Sequence, residues 1–205
     1  DLHFSHVNIL AYTKRPWPDI EAMNDALVCN WNRVVTPEDE VIIIGDLAMG
    51  KRVESVPIAR LLNGHKVLIP GNHDNCWNQG RDGAKPADVF SRAEHVRNSV
   101  AKYIEWGGLA AIWQPPIYNY MMSGHRVTLS HFPPIEAGDH TTELRFEAFR
   151  PPAPAEGEWI LCGHVHEAWK VRGRVINVGV DVWDYTPVPA TTLIDIIEGR
   201  ITGAL

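Results

Sequence analysis

Between Asp19 and Val34 the apolar side chains Ile20, Met23, Leu27, Trp31 and Val34 recur at helical spacing, with Asp19 placed as an N-cap. Val41–Ile44 is a β-branched run ending in Gly45-Asp46, which predicts a strand covered on both faces. Ser55–Leu62 predicts a second helix, with Pro57 near its start and Asn63-Gly64 closing it. Lys66–Pro70 predicts another short strand, terminating in Gly71-Asn72-His73-Asp74. This alternation of helix and strand is the pattern of a layered α/β sheet.

The rest of the chain is less regular. Asn75–Lys85 is polar and reads as a loop, and Val89–Val100 as a helix. Tyr103 to His125 reads as strand and loop, rich in aromatic residues and carrying the Met121-Met122 pair. Arg126–Ser130 predicts a strand ending at His131. Pro133–Glu158 is a proline-rich, acidic surface loop with one short helix near Leu144–Phe149. Trp159–Cys162, Val171–Val178 and Thr192–Ile197 predict three closing strands. With no repeat and no linker in view, residues 1–205 read as a single domain, and a further strand is expected upstream of Asp1.

Composition removes several classes. The 205 residues are 45% hydrophobic and 21% charged, enough apolar material for a core. The net charge of −6 argues against stable nucleic-acid binding through a broad basic face. Uninterrupted apolar runs such as Val41–Ile44 and Leu109–Trp113 are too short to span a bilayer. Cys29, Cys76 and Cys162 are odd in number and lack a CxxC pair, so the reducing cytoplasm is the simplest compartment.

Placement makes the ten histidines informative. His3, His73, His131, His164 and His166, together with Asp1, Asp46 and Asn72, follow or end predicted strands, where ligand sites of open α/β sheets gather. Asp1 and His3 are two apart, as are His164 and His166, which in an extended segment points both side chains to one face. Carboxylates and imidazoles bunched in this way need a cation to satisfy them. A mixed oxygen and nitrogen set without thiolates suits manganese, iron or zinc rather than calcium. Even seven ligands drawn from this set would exceed the needs of one tetrahedral ion. Two ions sharing a bridging carboxylate is the economical solution.

The blocks Asp1-Leu2-His3, Gly45-Asp46, Gly71-Asn72-His73-Asp74, His131 and Gly163-His164-Val165-His166 resemble, in order, those of the calcineurin-like metallophosphoesterase superfamily. Asp1–Asn8 and Asn177–Asp184 further resemble small bacterial and phage members. The resemblance implies a four-layer α/β/β/α sandwich, two mixed sheets flanked by helices. It also implies two divalent ions: manganese first, with iron, zinc or cobalt as alternatives. Asp1, His3 and His166 would hold one, and Asn72, His131 and His164 the other, with Asp46 bridging. A metal-bridging hydroxide would attack phosphorus in line, His73 would assist the leaving group, and Asp74 would fix the His73 tautomer.

Protein phosphatases of that superfamily read Gly-Asp-x-x-Asp-Arg-Gly in the second block, whereas this chain reads Gly45-Asp46-Leu47-Ala48-Met49-Gly50. Without the arginine clamp for a phosphomonoester dianion, a phosphodiester is the favoured substrate, a 2′,3′- or 3′,5′-cyclic nucleotide being one form of it. A phosphomonoesterase, a nucleotide pyrophosphohydrolase and a nuclease stand behind it, and a non-catalytic scaffold behind those. His6, Asn8, Trp77, Arg81 and Trp183 are the candidates for substrate contact, and Lys51 and Arg52 default to solvated surface. His65, His95, His125 and His140 read as ordinary loop or helix-end histidines.

Overall fold

The computed structural model describes residues 1–78, 89–141 and 145–201. Two sheets form its centre. In the first, β1 (Glu40–Ile44), β2 (His65–Ile69) and β3 (Ala111–Ile112) lie in that order, all parallel. In the second, the order is β4 (Ile117–Met122), β5 (His125–Leu129), β6 (Glu158–Cys162), β8 (Val175–Asn177) and β7 (Val171–Arg172). There β5, β6 and β8 run parallel, with β4 and β7 antiparallel at the two edges. The expected two-sheet α/β sandwich is the architecture observed; the second sheet is mixed, while the described strands of the first share one direction.

Strand alternation separates the layers. Ile43 of β1 and Leu68 of β2 join a core with Met23, Leu27 and Trp31 of α2 (Ile20–Val34) and Tyr103 of α4 (Val89–Gly107). Their neighbours Ile44 and Ile69 join Val127, Leu129, Leu161 and Ile176 of the second sheet. Adjacent side chains on one strand thus serve opposite faces. Helix α2 starts as its sequence predicts: Asp19 is extended and its carboxylate accepts the Ala22 N–H at 2.8 Å.

Four elements depart from expectation. Val89–Val100 continues as a helix to Gly107, because Tyr103 carries the buried face a further turn. Ser55–Leu62 divides into a helical turn, α3 (Arg52–Ser55), and a 3₁₀ segment, Val56–Leu61. Val171–Val178 is a hairpin, β7 turning into β8 at Gly173 with φ +57°. Thr192–Ile197 lies in a helix, α5 (Ala190–Ile197), rather than a strand. Its Leu193 and Ile196, three apart, are both buried in the inter-sheet layer, a requirement that overrides the β-branched composition. No described helix is long and apolar enough to cross a membrane.

The loops at the carboxyl ends of the parallel strands carry the predicted blocks. β1 leads into Gly45-Asp46, β2 into Gly71–Asp74, β5 into Ser130-His131 and β6 into Gly163–His166. The Asp1–Phe4 segment lies beside the first loop, with His3 N–H donating to Asp46 O at 2.9 Å and a parallel bridge between Phe4 and Ala48. All the predicted blocks therefore reach one rim.

Candidate metal centre

Asp46 is the hub. Its Oδ1 accepts the His73 backbone N–H at 2.9 Å, while its Oδ2 lies 3.6 Å from His3 Nε2 and 3.5 Å from His131 Nε2. His131 Nε2 is also 3.0 Å from Asn72 Oδ1, and its Nδ1 is 3.4 Å from Asp1 Oδ1. Asp1 Oδ2 accepts the His164 backbone N–H. The ring centroids of His3 and His166 are 5.0 Å apart, and those of His131 and His164 are 5.1 Å apart. The seven residues of the expected ligand set thus converge in one cluster, five of them buried and Asn72 and His166 half-buried.

Convergence does not come from the extended geometry expected of the two-apart pairs. His3, His164 and His166 have φ of +55°, +69° and +46°. Each left-handed residue costs about 1–2 kcal/mol, so packing and hydrogen bonds must hold these turns against that preference. Asn177 is one such restraint, donating from Nδ2 to His166 O at 2.7 Å and to Trp169 O at 2.9 Å.

The donor set fits a divalent cation on three observations. Asp1, Asp46 and His131 offer ligand atoms all within 4.8 Å of one another. Asp1 Oδ1 and His3 Nε2 are buried without a hydrogen-bond partner among the described residues, an expensive arrangement unless a cation completes it. Burial above all pushes the His3 and His131 imidazoles well below their ordinary pKa, so both are neutral, the form that ligates metals. Asp46 behaves oppositely. Burial alone would raise it, but the histidines around it, His73 also through its backbone N–H, hold it down, so it is a carboxylate at neutral pH.

Small residues leave the space. A Cβ on Gly71 would fall 2.3 Å from Asp46 Oδ1, and one on Gly163 would fall 2.4 Å from Asp1 Oδ2. Close approach of backbone to ligand side chain is what these two positions provide.

His73 lies at the side of the cluster, its ring centroid 5.7 Å from His3 and 5.8 Å from His6. Its main chain is fixed on both sides, by Asp46 at the N–H and by Arg52 Nη2 at the carbonyl, 2.7 Å away. Arg52 is therefore structural here rather than solvated surface. His6 is half-buried with Nδ1 3.2 Å from His3 Nδ1, and burial followed by the neighbouring His73 lowers its pKa to about 4. Asn8 is exposed and precedes α1 (Ile9–Tyr12) without a side-chain cap.

Asp74 corrects its expected role. Instead of holding the His73 ring, its carboxylate accepts the Leu47 and Gly71 N–H groups at 3.2 and 3.0 Å and the Tyr103 hydroxyl at 3.3 Å. It ties the β1 and β2 loops together. Burial, reinforced by Asp46, raises its pKa to about 7.

Trp77 is likewise corrected: it is 5% exposed, packed on Phe132, Phe146 and Phe149, and offers no face to a ligand. Trp183 donates Nε1–H to Asn177 O at 2.8 Å, and the Lys170 ammonium sits 4.4 Å from its ring centroid, so its ring already has a partner. Arg81 lies outside the described residues.

Four contributors were not singled out from sequence. Asp139 Oδ1 lies 3.4 Å from His164 Nε2 and 2.7 Å from His140 Nδ1, and its other oxygen is clamped by Arg150. His140, read as an ordinary loop histidine, stacks edge-on to His164 and His166 at 4.9 and 5.4 Å. Arg15 and Asp181 form a buried pair against the opposite side of the cluster. Only chain folding brings these together, and no local spacing announces them.

Several known proteins are similar to this chain. An archaeal relative, "Uncharacterized protein MJ1445" of Methanocaldococcus jannaschii, is 30% identical over 207 residues, covering 97% of this chain and 88% of the relative. The "Gene 66 protein" of Mycobacterium phage L5 is 30% identical over 191 residues, covering 89% of this chain and 84% of that protein. Its namesake in phage D29 is 32% identical over 197 residues, covering 92% and 89%. In fold, the chain is similar to the crystal structure of "the Protein of Unknown Function AQ665" from Aquifex aeolicus. The TM-score is 0.64 at 22% identity, over 96% of this chain and 95% of that one. The family profile of the calcineurin-like phosphoesterases matches residues 1–168, which hold every block of the cluster, and the chain belongs to that family.

Proposed function

We propose that this metal-dependent phosphoesterase is a phosphodiesterase that works with two divalent cations on small diesters, cyclic nucleotides among them. Asp1, His3 and His166 would hold one cation, and Asn72, His131 and His164 the other. The observation that carries this is the placement of Asp46 Oδ2 between His3 Nε2 and His131 Nε2, at 3.6 and 3.5 Å. One carboxylate oxygen facing a histidine from each half-set is the arrangement a shared ligand needs. Manganese is the first candidate, with iron, zinc or cobalt as alternatives; mixed oxygen and imidazole donors accommodate each of them. Bound there, such ions would supply Lewis-acid charge for the phosphoryl oxygens and acidify a water at neutral pH.

The chain's own groups do the rest. His73, on a main chain pinned by Asp46 and Arg52, presents its ring beside His3, where it would give a proton to the departing alkoxide. His6, in contact with both rings, borders the same space. Leu47, Ala48, Met49 and Gly50, directly after Asp46, are all uncharged, so the turn lacks the arginine that would grip a phosphomonoester dianion at that place in the block. A diester, with one charge fewer, makes less demand for such a grip. The free thiols Cys29, Cys76 and Cys162 fit a reducing, cytoplasmic setting.

Metal-stripped protein should be inactive toward bis(p-nitrophenyl) phosphate and regain activity with MnCl₂, with the diester turned over faster than p-nitrophenyl phosphate. Full activity in protein verified as metal-free would overturn the metal reading, and faster monoester cleavage the diester preference. His73→Ala should lower kcat by about 10²-fold. Its manganese content should stay at the parent value; loss of metal instead would make His73 structural.

A further inference from the structure

We infer that Asp181, clamped by Arg15, is the positioning residue that sets the ring orientation and tautomer of His166. The inference deepens the metal-centre reading above and rests on it. Asp181 sits in the Asn177–Asp184 segment, which supplies none of the expected ligands. Its Oδ1 accepts Arg15 Nε–H at 2.8 Å and its Oδ2 accepts an Nη2–H at 2.9 Å, a bidentate pair whose side chains are 0% and 1% exposed. Oδ2 also faces His166 Nδ1 at 3.8 Å, within a small ring rotation of hydrogen-bond length.

The clamp has little freedom. Arg15 Nη1 donates to Leu2 O at 2.9 Å and Nη2 to Asp1 O at 3.2 Å, so one guanidinium spans the first block and the Asp181 turn. A fixed anion opposite Nδ1 favours the tautomer with the proton on Nδ1. Nε2, the nitrogen on the far side of the ring, is then left with its lone pair free for a cation. Arg15 thereby ties Asp1 and His3 to the same scaffold that aims His166, three residues assigned to one cation.

The direct test is ¹⁵N NMR of the His166 ring in the full chain, both metal-free and loaded with zinc. A proton on Nδ1 is expected in both states; a proton on Nε2 with Nδ1 bare overturns the inference. Manganese titration of Asp181→Asn and Asp181→Ala supplies a second readout. One of the two sites should weaken, by about 10-fold for Asn, which keeps an acceptor oxygen, and by about 100-fold for Ala. The other site should keep the parent affinity. Unchanged affinities at both sites, or both weakening in step with the metal-free Tm, would show that the pair is not a positioning device. Parent protein that takes up no metal would sink the metal-centre reading instead, while the metal-free tautomer still decides the role of Asp181.

Discussion

Asp46→Asn is expected to reduce kcat/KM for a phosphodiester by about 10⁴-fold or more while the chain stays folded. The cations of a dinuclear site supply several kcal/mol of transition-state charge stabilisation, and each 1.36 kcal/mol is tenfold in rate. In the proposed dinuclear site Asp46 would serve both, its Oδ2 lying 3.6 Å from His3 Nε2 and 3.5 Å from His131 Nε2. An amide has the same shape and can still accept the His73 N–H that Oδ1 now accepts at 2.9 Å. It brings no negative charge and ligates weakly. Manganese content by elemental analysis should therefore fall with activity, while the metal-free Tm moves by no more than a few degrees. An Asp46→Asn variant that retains two metals and a tenth of its activity would show that Asp46 is not the shared ligand. A collapse of the metal-free Tm would show that its charge is needed for folding.

Those two histidines and that carboxylate are legible in the sequence because their signal is local. Asp46 and His131 each sit two residues after a strand end, His3 is marked by its spacing from Asp1, and strands with β-branched cores are readable from short windows. The histidine-rich segment Gly163–His166 is similarly plain, although its left-handed φ values are not. Other features are invisible because they depend on where chains cross. Arg15 and Asp181 are 166 residues apart in sequence and 2.8 Å apart in space. Asp74 looks like a partner for the neighbouring His73, but the folded loop turns its carboxylate to Leu47, Gly71 and Tyr103. Trp77 stands next to a site block and yet packs with three phenylalanines, since burying an indole outweighs proximity along the chain. In α5 the composition misleads, because Thr191 and Thr192 and the isoleucines favour strand, whereas burial of Leu193 and Ile196 on one face demands a helix.

The sharpest prediction about how the fold makes room for the site concerns Gly45, where the β1 strand breaks into the Asp46 turn. Its φ is +94°, a conformation an alanine adopts only at a cost of about 1–2 kcal/mol. Space is the larger obstacle. A Cβ there would lie 1.8 Å from His131 Nδ1 and 2.9 Å from Asp1 Oδ1, closer than any real contact. His131 is fully buried and held between Asp1, Asp46 and Asn72, so it cannot yield without leaving the cluster. Overpacking of a tight interior adds about 1–3 kcal/mol. Gly45→Ala should thus destabilise the protein by about 2–5 kcal/mol in urea and remove the His131 contribution to metal binding. Gly50→Ala separates the two causes. Its φ of +72° carries the same backbone cost, but the nearest atom to its Cβ would be Ser5 O at 3.4 Å. That variant should lose about 1–2 kcal/mol and keep both its manganese and its activity. If instead the two alanines behave alike, backbone strain alone governs these turns, and the close seating of His131 over Gly45 is not what holds the cluster together.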